Sequence, residues 1–300
     1  MPTTLKNTGD FFLKLALGTV QFGMPYGISN QSGQVSRESG KAIIAHAKLS
    51  GIDTLDTAIT YGESEACLGD MGIDGFKVIT KLPAMPKGTP DVDSWVQHQM
   101  QASLQRLKVK SVYALLLHHP DDLCGVKGDI LGHSLERLKL SGIVQKIGVS
   151  IYAPIELEYI VNTLSIDIVQ VPFNLIDQRL YSSGWLERLY ESGIEVHARS
   201  AFLQGLLLMS PVSVPEKFKY WLPLLSNWHD WLSINQVSAA EACIGFVQSF
   251  PQISRVVVGV DNLDQLQQLI KASKIDLRRD WPLIRSNDER LINPSSWNVL

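Results

Sequence analysis

Tyr113-Ala114-Leu115-Leu116-Leu117-His118 is the stretch that decides the fold of this 300-residue chain, because four apolar residues follow one another in it without a break. A strand with one wet face alternates apolar and polar side chains. An unbroken run reads instead as a strand covered on both faces, as in a parallel sheet flanked by helices. Arg255-Val256-Val257-Val258 repeats the pattern late in the chain.

Working outward, strand-like runs recur at 15–18, 54–56, 78–81, 113–118, 146–150, 168–171, 195–198 and 255–259. Amphipathic segments separate them, at 36–50, 92–107, 130–141, 154–163, 185–192, 236–247 and 263–273. Leu104 and Leu107, like Leu135 and Leu138, show the three-residue recurrence of a buried helical stripe. Eight strands alternating with helices is the count of an α/β fold of the (β/α)8 TIM-barrel type, expected here as a single domain over residues 1–300. A doubly wound open sheet has the same local pattern, since periodicity does not reveal closure. No Gly-x-Gly-x-x-Gly follows the first strand, which argues against a Rossmann domain.

Two segments break the alternation. Residues 206–235, after the seventh strand, hold Trp221, Trp228 and Trp231 with Pro211, Pro215 and Pro223. They are expected to carry a short helix, and to serve either as an apolar flap packed on the barrel or as a substrate-side lid. The C-terminal tail, 274–300, is the second such segment.

Composition narrows the function. A net charge of −3 gives no general reason to expect nucleic acid or an anionic membrane as partner. Cys67, Cys124 and Cys243 are odd in number and far apart, which is neither a disulfide framework nor metal-ligand spacing and suits a reducing compartment. No apolar stretch approaches the roughly 20 residues that span a bilayer. The apolar run 11–17 is interrupted by Lys14, and no small-residue cleavage site follows it. The expectation is a soluble cytoplasmic protein with no membrane or nucleic-acid partner, its oligomeric state open. His118-His119 with Asp121 and Asp122 lies in one loop, where neighbours do not converge on an ion, so no metal is expected. The glycine-rich patches lack the Gly-Lys-Ser or Gly-Lys-Thr of a P-loop.

The chemistry concentrates in Asp56-Thr57-Ala58-Ile59-Thr60-Tyr61-Gly62-Glu63-Ser64-Glu65, with a carboxylate at the second strand end and a phenol in the loop after it. Lys81 ends the third run and His118 the fourth. In a parallel barrel these strand ends share one face, so the four residues converge. Singly, each has a plain explanation: a turn-capping Asp, a solvated Lys, a His shaping a His-His-Pro turn. Together they are chemically complementary. Asp56 keeps Lys81 charged and oriented, and Lys81 stabilises the phenolate of Tyr61. Moving a phenol three units down from its usual value of about 10 takes roughly 4 kcal/mol. Tyr61 is then a general acid toward a carbonyl oxygen, with His118 a second donor. The set lacks a nucleophile, and a nicotinamide hydride fits that gap.

The pattern Asp56-Thr57-Ala58-x-x-Tyr61-Gly62-x-Ser64-Glu65-x-x-Leu68-Gly69, with Ile79-Thr80-Lys81 and Leu116-Leu117-His118-His119-Pro120-Asp121, resembles that of the aldo-keto reductases. Leu17-Gly18-Thr19-x-Gln21-Phe22-Gly23 is similar to the family's first strand and loop, and the likeness runs over about 15–268. The resemblance implies a barrel that reduces an aldehyde or ketone with NADP(H), or less often NAD(H), using Asp56, Tyr61, Lys81 and His118 as catalytic residues. It further implies that Gly18, Thr19 and Asp56 lie beside the cofactor and that Ser150 and Gln170 hold the nicotinamide carboxamide. Arg199 would lie against the ring, where a planar guanidinium can stack. Ser200, Leu203 and Gly205 would form the loop over the pyrophosphate. Gly259, Val260, Asp261, Gln265 and Gln268 would meet the adenosine-phosphate end at a helix N-terminus.

Two departures from the family stand out. Ile151 follows Ser150 where Asn is common, removing one amide contact to the carboxamide. Asp261 stands near where many members place a basic or small polar residue, and a carboxylate there repels a 2′-phosphate unless Arg255 or Lys271 compensates. Tyr26, Tyr61, His118 and His119 are expected to line the pocket of a small carbonyl substrate, with Met24 and Pro25 nearby. The short opening loop and modest tail resemble bacterial members acting on sugars or sugar derivatives. Two other readings stay open: a catalytically weak cofactor-binding or scaffold protein on the same barrel, and an isomerase or lyase of a phosphorylated sugar.

Overall fold

In the computed structural model, which describes residues 13–277 and 280–299, eight parallel strands close into a barrel in sequence order. They are β1 (Leu15–Gly18), β2 (Thr54–Asp56), β3 (Lys77–Leu82), β4 (Val112–Leu117), β5 (Val144–Ser150), β6 (Ile168–Pro172), β7 (Glu195–Arg199) and β8 (Ile253–Gly259). β1 pairs on one side with β2 and on the other with β8, where Leu17 faces Val258 and Gly18 faces Gly259. That last pairing rules out the open sheet. Four strand C-terminal ends differ from expectation by one residue: β6 and β7 extend to Pro172 and Arg199, and the other two concern candidate site residues. β3 runs one residue past Lys81, and β4 stops at Leu117, although the His118 N–H still donates to the Leu82 carbonyl at 3.1 Å.

The unbroken apolar run of β4 has a direct cause. Ala114 and Leu116 point into the barrel, where they pack with Ile79 and Ile168. Leu115 and Leu117 point outward into the layer shared with the helices, among residues such as Val96, Leu131 and Leu135. Each face of the strand is thus buried by a different partner. The helices begin where side chains cap them: Ser36 accepts from the Ser39 N–H, Asp91 from Ser94 and Asn262 from Gln265. Ser238 and Glu241 form a capping box.

One helix matters most for the site. Ser64–Met71 follows the loop that carries Tyr61, and its Glu65 is buried. The Glu65 carboxylate accepts from Thr80 Oγ1 (2.6 Å), Ser103 Oγ (2.6 Å), and Arg106 Nε and Nη2 (2.8 and 2.6 Å). It ties this helix to β3 and to the helix Val92–Leu107.

The 206–235 segment contains a fourteen-residue helix, Leu222–Asn235, longer than the short helix expected. Its indoles are occupied by protein acceptors: Trp221 donates to Asp288 Oδ2 (3.2 Å), Trp228 to the Leu207 carbonyl (3.0 Å) and Trp231 to the Asp280 carbonyl (3.2 Å). Trp228 and Trp231 stack with centroids 6.0 Å apart. The segment therefore packs between barrel and tail, with Lys217 Nζ donating to the Trp297 carbonyl at 2.8 Å. Cys67, Cys124 and Cys243 are free thiols. Among the described residues no helix is long and apolar enough to cross a membrane. The first two residues of the 11–17 run lie outside the described residues.

Replacing Glu65 by Ala strands two buried hydroxyls and the Arg106 guanidinium. The expected loss is about 2–3 kcal/mol of stability, read as a lower denaturant midpoint with unchanged slope. A midpoint equal to the parent's would show that Glu65 does not hold this corner together.

Candidate active site

The loop after β2 is fixed by backbone bonds before any side chain acts. Thr57 N–H donates to Ile79 O (2.8 Å), Ile59 to Lys81 O (3.2 Å), Tyr61 to Ala58 O (3.0 Å) and Ser64 to Tyr61 O (3.0 Å). Gly62 has φ +55° and abuts Gly23, and a methyl group on either would overlap the other loop's backbone. Two glycines meeting face to face therefore set the height of Tyr61 at the barrel mouth. Beneath them, Thr19 Oγ1 donates to Asp56 O (2.9 Å), and the Ser64 hydroxyl lies 2.9 Å from Thr19 Oγ1 and 3.0 Å from Thr57 Oγ1. Thr19 is fully buried, so its hydroxyl joins β1 to β2 and does not face a ligand.

Lys81 is completely buried. Its Nζ donates to both Asp56 oxygens (2.9 and 2.8 Å) and to the Thr57 carbonyl (2.8 Å), and stands 3.5 Å from Tyr61 Oη. Burial disfavours the ammonium, but the Asp56 carboxylate outweighs it and carries the Lys81 pKa above the ordinary value. Asp56 also accepts from Gln170 Nε2 at 2.6 Å, and Ser150 Oγ stands 3.4 Å from Gln170 Oε1. The Gln170 amide, expected to hold a carboxamide, is thus already engaged with Asp56.

His118 meets the Tyr61 ring edge-on, with centroids 5.8 Å apart. Desolvation, then the charges of Lys81, His119 and Arg199, push its pKa down to about 3, so the imidazole is neutral. Its Nδ1 lies 3.2 Å from Thr60 Oγ1. His119 is exposed beside it.

The remaining candidates lie around the rim between β5 and β8. The Arg199 guanidinium packs 4.6 Å from the Tyr152 ring centroid and donates to the Ile151 carbonyl at 3.0 Å. Ile151 itself is buried. Ser200, Leu203, Gln204 and Gly205 all have positive φ, three of them without the freedom of glycine. Leu203 and Val260 are buried. Gly205 packs on Ser29, and Tyr26 Oη accepts from Gln204 Nε2 at 3.1 Å. The loop after β1 therefore lies against the loop after β7. It also reaches β8, since Asn30 Nδ2 donates to Asp261 Oδ1 at 3.0 Å. Gln265 Oε1 accepts from the Asp261 N–H at 2.7 Å, and Gln268 is exposed one turn further on. Desolvation raises the Asp261 pKa.

Arg255 cannot offset Asp261. Its guanidinium binds Asp53 at 3.1 Å near the start of β8, the opposite end of the strand. Lys271 sits two turns into the helix Leu263–Ser273, roughly 13 Å along its axis from the N-cap Asn262. Four residues that the sequence reading left without a role, Gln21, Asn30, Thr60 and Gln204, also belong to this rim. Asn30 and Thr60 come from loops, Gln204 from a stretch with non-helical φ/ψ and Gln21 from the four-residue helix Val20–Gly23, all too short or irregular for a periodicity to mark them. Gln21 offers a test of fit for a dinucleotide: its amide packs on the bare Cα of Gly259, and its buried Oε1 has no hydrogen-bond partner among the described residues. An orphaned acceptor at the β1–β8 junction, beside a position with no room for a Cβ, fits a ligand that brings donors there. Among the described residues no acid, His or Cys cluster could hold a metal ion.

Residues 14–281 match the model of the aldo/keto reductase family. The chain is 27% identical to a 6-dehydroglucose reductase of Agrobacterium fabrum, over 89% of this chain and 93% of that protein. It is similar in structure to the holo form of aldo-keto reductase AKR11C1 from Bacillus halodurans, with a TM-score of 0.72 and 20% identity over 87% of each chain. The apo form of the same reductase gives a TM-score of 0.68 at 19% identity, over 87% of this chain and 86% of that one.

Because folded His118 holds its proton only near pH 3, while the unfolded residue titrates near 6.5, the unfolded chain binds more protons between those values. Stability from this residue is therefore complete above about pH 6.5 and falls as the pH drops toward 3. A His118→Asn variant should lose less stability than the parent between pH 7 and 5 in denaturant titrations. Parallel pH dependence of the two proteins would contradict the half-buried, neutral imidazole.

Proposed function

The chain belongs to the aldo-keto reductase family, and we propose that it reduces an aldehyde or ketone on a sugar or sugar derivative, with NAD(P)H as reductant and Tyr61 as proton donor. The observation that carries this reading is the fully buried Lys81 held between the Asp56 carboxylate and the Tyr61 hydroxyl. A bound nicotinamide supplies the hydride that these side chains lack. The protein's own part is to hold the carbonyl oxygen and deliver a proton to it. Tyr61 Oη gives the proton, and the Lys81 ammonium stabilises the phenolate left behind. Asp56 keeps that ammonium in place and is itself held by Gln170. Neutral His118 donates a second hydrogen bond to the same oxygen. The similarity to a 6-dehydroglucose reductase supports a sugar-like substrate. A cytoplasmic location fits the three free thiols.

The sequence pattern allows both NADP(H) and NAD(H). Asp261 favours the second, because a carboxylate repels a 2′-phosphate and accepts from a 2′-hydroxyl, and neither Arg255 nor Lys271 offsets it. Thermal unfolding should rise more with NADH than with NADPH at equal concentration, and Asp261→Ala should narrow the gap. Stronger protection by NADPH would overturn the Asp261 argument.

The mechanism is tested with Tyr61→Phe, which should lose at least 100-fold in kcat (the low end of ~10²–10⁴ for general acid catalysis) while keeping cofactor protection. A variant as active as the parent would remove Tyr61 from the reaction. Cofactor protection of the parent without turnover of any aldehyde or ketone would instead favour the catalytically weak, cofactor-binding reading.

A further inference from the structure

A neutral imidazole carries one proton, and only one of its two nitrogens can present it to a carbonyl oxygen. In this chain one of the nitrogens is already engaged. Among the described residues, Thr60 is the hydrogen-bond partner of the His118 ring, through Nδ1 at 3.2 Å. We propose that the Thr60 hydroxyl donates to His118 Nδ1 and so fixes the tautomer with its proton on Nε2, the nitrogen on the other side of the ring from Thr60. Thr60 is a positioning residue, acting through His118 and touching neither substrate nor cofactor. The inference rests on the reductase reading for its consequence, but the tautomer is a property of the resting protein.

Two observations and one chemical argument support the assignment. The two partners are held by backbone bonds that do not depend on the contact: Ile59 N–H to Lys81 O (3.2 Å), Tyr61 N–H to Ala58 O (3.0 Å) and His118 N–H to Leu82 O (3.1 Å). Little conformational freedom is lost in making it. Desolvation and the Lys81 charge keep the ring neutral, so a choice between tautomers exists at all. Lastly, the reverse arrangement is unfavourable for the chemistry. A proton on Nδ1 would make Thr60 the acceptor and turn the Nε2 lone pair toward the lone pairs of a carbonyl oxygen. The hydroxyl has a donor to give, and a valine of the same shape would not.

The test is nitrogen-15 NMR of the histidine rings, with the His118 signals identified by their loss in His118→Asn. In the parent at pH 7, Nδ1 should show the shift of an unprotonated ring nitrogen and Nε2 that of a protonated one. Thr60→Val should shift the ring toward a tautomer mixture, and Thr60→Ser should restore the parent spectrum. In turnover, Thr60→Val should lower kcat by about tenfold, the worth of one well-placed hydrogen bond, with a smaller change in KM. Thr60→Ser should stay within about twofold of the parent. A protonated Nδ1 in the parent, or an unchanged tautomer in Thr60→Val, overturns the proposal. Failure of the reductase reading would show itself separately, as an absence of turnover with the tautomer signals as expected.

Discussion

An ammonium group with no exposure to solvent, held against a carboxylate, is the constraint on which the barrel mouth depends. Taking both ions out of water costs several kcal/mol each even after relaxation, and attraction offsets this only when the remaining donors and acceptors are also met. Here they are, with three close acceptors for Lys81 Nζ and a second donor, Gln170, for Asp56. The partners come from β2, β3 and β6. The pair is therefore satisfied only if the barrel closes with each strand at its proper height. A slip of one residue in any of these strands would turn its side chain to the other face and leave a charge unpaired.

The barrel interior repeats the device at its other end for a different purpose. Glu195 accepts from Tyr113 Oη and Lys146 Nζ, both at 2.7 Å, and Asp53 pairs with Lys77 and Arg255. Burial pushes the Glu195 pKa up, but the nearby His197 ring, 3.4 Å away, and hydrogen bonds from Lys146 and Tyr113 outweigh it and hold the carboxyl well below the ordinary carboxylate range. Between the two polar ends lies the dry layer of Ile79, Ala114, Leu116 and Ile168. In such barrels the amino-terminal end carries stability and the carboxyl-terminal end chemistry. The carboxylates at the floor thus pair with neighbouring cations and the Tyr113 hydroxyl, while Tyr61 and His118 stand at the mouth.

The loops add what the strands cannot. The segment after β1 touches the loops after β7 and β8 through Tyr26, Ser29 and Asn30. The β7 loop holds three non-glycine residues in the left-handed region, a conformation that costs roughly 1–2 kcal/mol per residue. That strain is sustained by backbone bonds such as Leu203 N–H to Ser200 O (2.8 Å) and by the Asn174 amide donating to Ser200 O (3.0 Å). Strain of this kind clusters at ligand-binding segments.

The amino-acid sequence by itself determined the alternation of eight apolar strands with amphipathic helices, because burial on both faces writes a continuous apolar run such as Ala114 to Leu117. It also picked out Asp56, Tyr61, Lys81 and His118, since polar residues at the ends of apolar runs are conspicuous. Closure of the sheet was not legible, as β1 meets β8 across more than two hundred residues. Nor were the partners of the candidate residues. That Gln170 holds Asp56, that Arg255 lies at the floor and not beside Asp261, and that Thr60 meets His118 are matters of three-dimensional reach. Sequence patterns record which face of a strand or helix a residue occupies. Which side chains meet across the barrel is set by strand register and loop path, and only the tertiary structure decided those.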